Sequence, residues 1–224
     1  MVASAKVVFF DVDGVLVDSL PEHLQICRDK AREFGLQLEI PSVDQFRAMV
    51  SRGIKVSPMS EFFRSVGFPE AYIERAVADY ERDFMQRYKP RKFSGVDEML
   101  ENLRTASLQL GLVTSNARGN VEPALGTAMR HFDPRAVFFF EHGAESRSKS
   151  AALVEGARRL GASTLACVYV GDQPADAEAA ASAEVRFLGV TYGWGITRGD
   201  SRFDTVDAPA QIVQRLASAQ LPTK

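Results

Sequence analysis

The stretch Lys6–Ser19, KVVFFDVDGVLVDS, decides how the rest of the chain is interpreted. Its apolar, partly β-branched beginning predicts a buried strand from Lys6 to Phe10. That strand would deliver Asp11 and Asp13 to its carboxyl end, where open α/β sheets bind their ligands. Two buried anions one residue apart repel each other and lose hydration. The stretch therefore predicts a bound cation, with a metal ion as the natural candidate.

The composition favours small-molecule chemistry over nucleic-acid or membrane binding. The chain has 224 residues, a formal net charge of -2, 46% hydrophobic residues and a sequence pI near 6.0. It contains no basic block and no apolar run of the roughly 20 residues that span a bilayer. The beginning of the chain lacks the layout of a signal peptide. We therefore expect a cytoplasmic protein, with no nucleic-acid or membrane partner, that acts on a small molecule.

Helical patterns fill the region from Leu20 to Lys89, and no strand is predicted there. Ser19-Leu-Pro-Glu22 reads as a capping box with proline in the first turn of a helix. Three further helices are expected to begin at Ser42 (with Gln45), at Ser57-Pro58 and at Pro69. Residues 17–90 are therefore predicted to form a small all-helical cap domain, inserted after the first strand.

From Phe93 onward, short apolar strands alternate with helical patterns. This alternation predicts right-handed crossovers and an α/β fold with a doubly wound parallel sheet. The core would comprise residues 1–16 and 91–224, and the crossings at Val15–Ser19 and Lys89–Phe93 would suit a hinge. The predicted strands are 108–113, 137–140, 165–170 and 185–190, and the predicted helices are 96–105, 121–130, 150–160, 175–183 and 208–218.

Polar side chains collect in four turns next to these strands and helices. The turns are Asp11-Val-Asp13, Thr114-Ser115-Asn116, Arg147-Ser-Lys149-Ser150 and Gly171-Asp172-Gln-Pro-Ala-Asp176. Together they offer carboxylates, a hydroxyl, an amide, a cation and free backbone N–H groups at helix starts. That set of groups suits phosphoryl transfer, where catalysis is mostly positioning and charge stabilisation.

The four turns, in this order and with a helical insertion between the first two, resemble the motifs of the haloacid dehalogenase superfamily. The resemblance covers nearly the whole chain and is closest to the phosphoglycolate phosphatase-like and β-phosphoglucomutase-like members with a helical cap. It implies a Rossmann-like core and an enzyme that hydrolyses phosphoric monoesters. It also implies that Asp11 attacks phosphorus to give an aspartyl-phosphate, and that Asp13 acts as general acid and base.

The resemblance assigns the remaining site residues as well. It implies a Mg²⁺ site formed by Asp11, Asp13 and Asp172, with Asp176 holding a metal-bound water or anchoring Lys149. It implies phosphate binding by Thr114, Ser115 and Asn116, and a lysine, Lys149, that pairs with both the phosphate and Asp11. The family lysine is usually followed by proline, whereas Ser150 stands here, and Arg147 is an alternative cation.

Three residues outside the motifs are further candidates. His23 occupies a position where capped relatives place a histidine that faces the closed site, and it could orient Asp13 or be a satisfied residue of the cap. Arg52, in the loop after the second cap helix, could bind the remote end of the substrate or be a solvated residue. Trp194 could form a wall of the site or pack in the core.

The sequence thus leads to one principal function and two alternatives. The principal hypothesis is an Mg²⁺-dependent phosphatase that acts on a small phosphorylated metabolite, similar to phosphoglycolate or a sugar phosphate. A phosphosugar mutase of the β-phosphoglucomutase type shares the same motifs. The sequence separates the phosphatase from the mutase poorly, because the two enzymes differ in how the cap excludes water. A phosphate-binding or regulatory protein without activity is the third. For the oligomeric state, the sequence favours neither a monomer nor a homodimer.

Overall fold

The structure, a computed structural model, describes residues 5–139 and 148–217. Its strands, in chain order, are β1 (Val7–Phe10), β2 (Val17–Asp18), β3 (Arg91–Lys92), β4 (Gln109–Val113), β5 (Val137–Phe138), β6 (Cys167–Gly171), β7 (Arg186–Val190) and β8 (Thr205–Val206). Its α-helices are α1 (Leu20–Glu33), α2 (Val43–Ser51), α3 (Met59–Ser65), α4 (Glu70–Arg87), α5 (Val96–Thr105), α6 (Arg118–Leu125), α7 (Lys149–Arg159), α8 (Pro174–Ser182) and α9 (Pro209–Ala217).

Six strands form one parallel sheet in the order β5-β4-β1-β6-β7-β8. β1 pairs on one side with β4, where Val7 lies opposite Gln109, and on the other with β6, where Val7 lies opposite Cys167. The strand order reverses direction at β1, so the carboxyl end of β1 lies at the topological switch point of the sheet. The prediction of a doubly wound α/β core is confirmed.

The two faces of the sheet are covered by different helices, because alternate side chains of a strand point to opposite faces. Val8 and Phe10 belong to an apolar cluster that includes residues of α5 and α9. Val7 and Phe9 belong to a second cluster that includes residues of α7 and α8. Burial on both faces explains why β1 is an uninterrupted apolar run, and it fixes where the strand delivers the acidic residues that follow it.

Helices α1–α4, called the cap below, surround an apolar cluster of their own that is rich in aromatic residues. The helix start predicted at Ser42 with Gln45 is confirmed, and these two residues form a capping box. Ser42 Oγ accepts a hydrogen bond from the Gln45 N–H at 3.2 Å, and Gln45 Oε1 accepts one from the Ser42 N–H at 2.8 Å. Trp194, from the loop after β7, is part of the cap cluster although it belongs to the core segment. Cap and core are therefore packed together in this structure.

The two chain crossings between core and cap pair with each other as a short antiparallel ribbon. Val17 of β2 lies opposite Lys92 of β3, and Asp18 lies opposite Arg91. The Phe93 N–H also donates to the Leu16 carbonyl at 3.0 Å. Strands of two residues carry no periodic signal, so the sequence did not predict this ribbon. A hinge at these crossings stays a prediction.

Several predicted elements differ from the structure. The predicted helix 121–130 begins earlier, at Arg118, and its α-helical part ends at Leu125; a 3-10 segment follows from Gly126, which adopts a φ of +53°. Ser19 does not cap α1 with its side chain, so the capping box predicted there is wrong. The hydroxyl of Ser19 contacts Asp13 instead, and this exchange matters for the site below.

A few predictions fall at the limits of the described ranges. The predicted strand 137–140 extends to Phe138, and Phe140 lies outside the described residues. The same holds for Ser218, the predicted end of the last helix. β8, which adds a sixth strand beside β7, was not predicted. Within 5–139 and 148–217, no helix combines the length and apolar character needed to cross a bilayer.

Candidate active site

A buried cluster of charged side chains lies at the carboxyl end of β1. Lys149 Nζ is 2.7 Å from Asp11 Oδ2 and 2.7 Å from Asp176 Oδ1. Each of Asp11, Asp172 and Asp176 has a carboxylate oxygen within 4.8 Å of one on the other two, and all three residues are buried. The fourth motif and Lys149 are thus brought to the first motif, as predicted. Arg147, the alternative cation, lies outside the described residues.

Backbone N–H groups hold the carboxylates of this cluster in place. Asp176, in the first turn of α8, accepts hydrogen bonds at its Oδ2 from the N–H groups of Asp172 and Gln173, each at 3.2 Å. Asp172 Oδ2 accepts one from the Trp194 N–H at 2.6 Å. Asp11 Oδ1 accepts one from the Val12 N–H at 2.8 Å. Asp176 is thus fixed by backbone N–H groups while its other oxygen contacts Lys149, which agrees with the prediction that it anchors this lysine.

Burial and like charge shift the protonation of the cluster. Burial raises the pKa of Asp11 to about 6, although the positive charge of Lys149 opposes the rise. Burial together with the charges of Asp176 and Asp11 raises the pKa of Asp172 well above its ordinary value. Burial alone would lower the pKa of Lys149, but Asp11 and Asp176 hold it well above its usual value. One lysine therefore faces more negative charge than it can balance.

A divalent cation fits this surplus of negative charge. Asp172 Oδ1 is buried and has no hydrogen-bond partner, a costly state for a carboxylate oxygen unless an ion contacts it. Both oxygens of Asp176, in contrast, already have partners, including Lys149 and the Tyr169 hydroxyl at 3.3 Å. The donor set consists of carboxylate oxygens, which Mg²⁺ prefers.

Two glycines allow the loops to crowd around Asp172. A Cβ on Gly14, whose φ is +77°, would lie 2.1 Å from Asp172 Oδ2, and one on Gly193 would lie 2.4 Å from Asp172 Cβ. No side chain fits at those distances, so both positions require glycine. The Asp-Val-Asp-Gly turn and the loop after β7 can therefore both contact Asp172.

Asp13 lies apart from the lysine cluster and has its own hydrogen-bond donors. Ser19 Oγ donates to Asp13 Oδ1 at 2.5 Å, and Asn116 Nδ2 donates to Asp13 Oδ2 at 2.8 Å. Asn116 was predicted to bind phosphate; the structure gives its side chain this contact with Asp13, and phosphate binding stays a prediction. The two acids of the first motif thus have different surroundings, as their predicted roles require.

Cap and core together enclose a cavity of about 310 Å³ above the cluster. On the core side, Thr114, Ser115 and Asn116 line it, and the charged lining residues are Asp11, Asp13, Lys149 and Asp176. Thr114 Oγ1 accepts a hydrogen bond from the Asn116 N–H at 3.1 Å. The lining residues from the cap are His23, Val56, Ser57, Met59 and Tyr80, and Trp194 completes the wall.

His23 and Arg52, the two predicted cap residues, have different locations. His23 is 2% exposed and lines the cavity, where its Nε2 lies 3.2 Å from the Tyr80 hydroxyl. Burial lowers its pKa, although the charge of Asp13 opposes the change. Arg52 is exposed and does not line the cavity, so a role in substrate binding stays a prediction. Trp194 serves both of the alternatives considered for it, because it lines the cavity and packs in the cap cluster.

Three polar residues near Asp13 were not predicted from the sequence. Ser19 was assigned to helix capping, and Tyr80 was part of the apolar face of a cap helix. Asn120 carried no signal in the sequence; it lies in the first turn of α6, and Asn116 lies in the turn before that helix. Their roles depend on contacts between distant segments, which no local pattern reveals.

The doubly wound core, the inserted helical cap and the aspartate and lysine cluster at the switch point define a Rossmann-like α/β protein with a helical cap over an acidic site. The chain belongs to the haloacid dehalogenase-like hydrolase family, whose profile matches residues 8–190. This membership confirms the resemblance inferred from the four motifs, and with it the assignment of the chain as an enzyme.

Named relatives of similar length support the same family. A phosphoglycolate phosphatase from Synechococcus elongatus is 31% identical over 192 residues, which cover 84% of this chain and 85% of the relative. An N-acetylmuramic acid 6-phosphate phosphatase from Pseudomonas aeruginosa is 28% identical over 200 residues, covering 84% and 83%. A haloacid dehalogenase-like hydrolase from Streptococcus pneumoniae has the same fold, with a TM-score of 0.78 at 19% identity and coverage of 94% and 98%.

Proposed function

We propose that this protein is an Mg²⁺-dependent phosphatase that hydrolyses a small phosphomonoester through an aspartyl-phosphate. The observation that carries the proposal is the buried cluster at the base of the cavity. There Asp11 lies 2.7 Å from Lys149, while Asp13 is held separately by Ser19 and Asn116. Phosphoryl transfer needs a nucleophile beside positive charge and a separate proton donor, and this arrangement supplies both.

The chain's own residues divide the reaction between them. A carboxylate oxygen of Asp11 bonds to phosphorus as the bond to the leaving oxygen breaks, and Asp13 gives its proton to that oxygen. In the second half, Asp13 takes a proton from a water whose oxygen bonds to phosphorus; the bond between phosphorus and Asp11 breaks, inorganic phosphate leaves, and the Asp11 carboxylate is regenerated. Lys149 orients Asp11 and balances part of the charge, while Asp176 holds Lys149.

Asp11 and Asp172 are the residues that would hold Mg²⁺, because Asp172 Oδ1 is buried without a partner and both oxygens of Asp176 are engaged. When bound, Mg²⁺ supplies positive charge that screens the phosphate from the carboxylates. Asp176 contributes by holding the loop and Lys149. The family resemblance adds the backbone carbonyl of Asp13 to this set.

The cap side of the cavity favours a substrate with a neutral leaving alcohol. Among the described lining residues, Lys149 alone is cationic, and it already contacts two carboxylates. His23 is neutral at pH 7 because burial lowers its pKa. On the cap side, Val56, Met59 and Tyr80 offer the carboxylate of phosphoglycolate no cation, and Ser57 offers it a neutral hydroxyl. A sugar phosphate suits these neutral walls better.

The test is release of inorganic phosphate from aryl and sugar phosphates, with and without Mg²⁺. We expect Asp11→Asn to lower turnover by at least about 10³-fold without loss of folding, and chelation of Mg²⁺ to do the same to the unmodified protein. Asp133→Asn is the matched control, since it removes a carboxylate that pairs with Arg135 and does not line the cavity. Substantial Mg²⁺-dependent activity of the Asp11 variant would refute the proposal.

Two further arms of the same assay refine it. We expect kcat/KM for a hexose phosphate to exceed that for phosphoglycolate by about 10-fold or more. The reason is that the carboxylate of phosphoglycolate, buried in the cavity without a cation, would lose at least the free energy of one hydrogen bond to a charged group. Formation of an isomeric sugar phosphate without release of phosphate would instead identify a mutase. Failure to bind Mg²⁺ or a phosphate analogue would favour a regulatory protein that has the fold without the reaction.

A further inference from the structure

A chain of amide hydrogen bonds runs from Asp13 into helix α6 of the core. Asn120 Nδ2 donates to Asn116 Oδ1 at 3.0 Å, and Asn116 Nδ2 donates to Asp13 Oδ2 at 2.8 Å. Asn116 Oδ1 also accepts from the Ala117 N–H at 2.8 Å. The opposite orientation of the Asn116 amide would bring two donors together, so these contacts direct its Nδ2 towards Asp13.

Asn120 also contacts the cap. Its Nδ2 lies 3.4 Å from the Tyr80 hydroxyl of α4, and Tyr80 lies 3.2 Å from His23 Nε2. His23 Nδ1 is 2.7 Å from the Ser19 carbonyl, and the Ser19 hydroxyl donates to Asp13 Oδ1. The contacts therefore close a ring that starts and ends at Asp13 and passes through both cap and core.

The chemistry of each group fixes the direction of the hydrogen bonds around the ring. A carbonyl oxygen can only accept, so His23 Nδ1 carries the proton that is donated to Ser19. Nε2 of a neutral imidazole then accepts, and the Tyr80 hydroxyl donates to it. The Tyr80 oxygen is left to accept from Asn120, whose second amide hydrogen goes to Asn116. No two donors and no two acceptors face each other.

We propose that Asn120 and Tyr80 are positioning residues for proton transfer by Asp13, because docking of the cap helix α4 against α6 completes the hydrogen bonds that orient this carboxyl group. The inference rests on the proposed function and adds two residues to its machinery. Asn120 is 5% exposed and does not line the cavity. It acts through Asn116 and Tyr80 and does not touch the substrate.

The need for a proton from Asp13 depends on the leaving group of the substrate. When the bond from phosphorus to the leaving oxygen breaks, an alkoxide needs the proton of Asp13, whereas a nitrophenolate leaves without one. A misplaced Asp13 should therefore slow the first half-reaction, in which the leaving group departs, for alkyl phosphates and have little effect on that step for activated aryl phosphates. A purely structural role of Asn120 would slow both to the same extent.

The experiment measures the rate at which Asn120→Ala releases the leaving group of an alkyl phosphate and of nitrophenyl phosphate in a single turnover, with enzyme in excess and Mg²⁺ present. We expect this rate to fall by about 10- to 100-fold for the alkyl ester and to change by less than about 3-fold for the aryl ester. Tyr80→Phe should show the same selectivity. Because both variants break one ring, the double variant should lose little more than either alone.

Tyr88→Phe is the matched control for Tyr80→Phe. Tyr88 directly follows α4 in the same cap, and its hydroxyl donates to Asp29 at 3.0 Å, away from the cavity. We expect this variant to retain the activity of the unmodified protein with both esters. Equal losses of the single-turnover rate for the two esters in Asn120→Ala, or rates unchanged with both, would overturn the proposal.

The sole tryptophan distinguishes positioning of Asp13 from docking of the cap. Trp194 is 5% exposed and packs against the cap, so an undocked cap would expose it and shift its emission to longer wavelength. We expect the emission of Asn120→Ala to match the unmodified protein; a red shift with uniform loss of activity would overturn the positioning role. Failure of the proposed function has a different result: the unmodified protein would hydrolyse neither ester.

Discussion

Two lysines in this protein, one in the core and one in the cap, each contact two carboxylates. Lys149 lies 2.7 Å from Asp11 and from Asp176. Lys30, on α1, lies 2.8 Å from Glu33 and from Asp79. The surroundings of the acids differ. Asp79 is also paired with Arg82 at 2.7 Å, whereas Asp172, beside the Lys149 cluster, has a buried oxygen without a partner.

The difference is visible in the direction of the pKa shifts. Burial would raise the pKa of Asp79, but the hydrogen bonds from Lys30 and Arg82 hold it below the ordinary value. Burial and neighbouring acids raise the pKa of Asp172 instead. A buried ion pair alone is therefore no sign of an active site. An active site is indicated instead by a surplus of charge of one sign, which a bound ligand neutralises.

Exchanging each lysine for methionine separates the two clusters by activity. Lys149→Met should lower kcat/KM for phosphate release by about 10³-fold, because it removes the positive charge beside the nucleophile Asp11. Lys30→Met, the matched variant, should keep activity within about 3-fold wherever the protein is folded, since Lys30 does not line the cavity. Steady-state kinetics at 20 °C measure both. Similar losses from the two variants would contradict the comparison.

The same two clusters should differ in stability. Lys30→Met leaves the buried Asp79 with Arg82 as its remaining partner, and we expect the free energy of unfolding to fall by about 3 kcal/mol. Denaturant titration followed by circular dichroism measures the change. Lys30→Met combined with Asp79→Leu serves as the control, because an apolar pair should recover most of the loss. A loss below about 1 kcal/mol in the single variant would show that the pair contributes little.

The smallest expected effect is a change with pH in the stability that Asp79 contributes. Because the pKa of Asp79 is lower in the folded protein than its ordinary 3.8, its contribution to stability is present above about pH 4 and is lost as pH falls through the folded value. The stability difference between the unmodified protein and Asp79→Asn should therefore shrink as the pH falls from 5 to 3. A difference that stays constant over this range would contradict the shift.

The charged cluster of the core could be predicted from the sequence, whereas the hydrogen-bond ring could not. Asp11, Thr114 and Asp172 each follow a strand, and the carboxyl ends of parallel strands meet at one edge of the sheet, so topology alone brings them together. Tyr80 and Asn120 meet because α4 packs on α6, and no pattern within either helix contains that contact.

The misassigned serine illustrates the same limit. Ser19 stands where a helix-capping residue is expected, and the local pattern Ser-x-x-Glu satisfies the rule for a capping box. The carboxylate of Asp13 nevertheless competes for the hydroxyl and takes it, at 2.5 Å, because a bond to a charged acceptor is stronger than one to a backbone group. Local rules fail where a functional group offers the better partner.

The central place of β1 also bears on how the chain folds. β1 is synthesised first, yet its partners in the sheet, Gln109 and Cys167, come about 100 and 160 residues later. Helices α1–α4 are complete by Arg87 and bury most of their apolar cluster among themselves. We therefore expect the cap to fold early during synthesis. The core should fold last, because β1 cannot complete its pairing in the sheet until β6 has been synthesised.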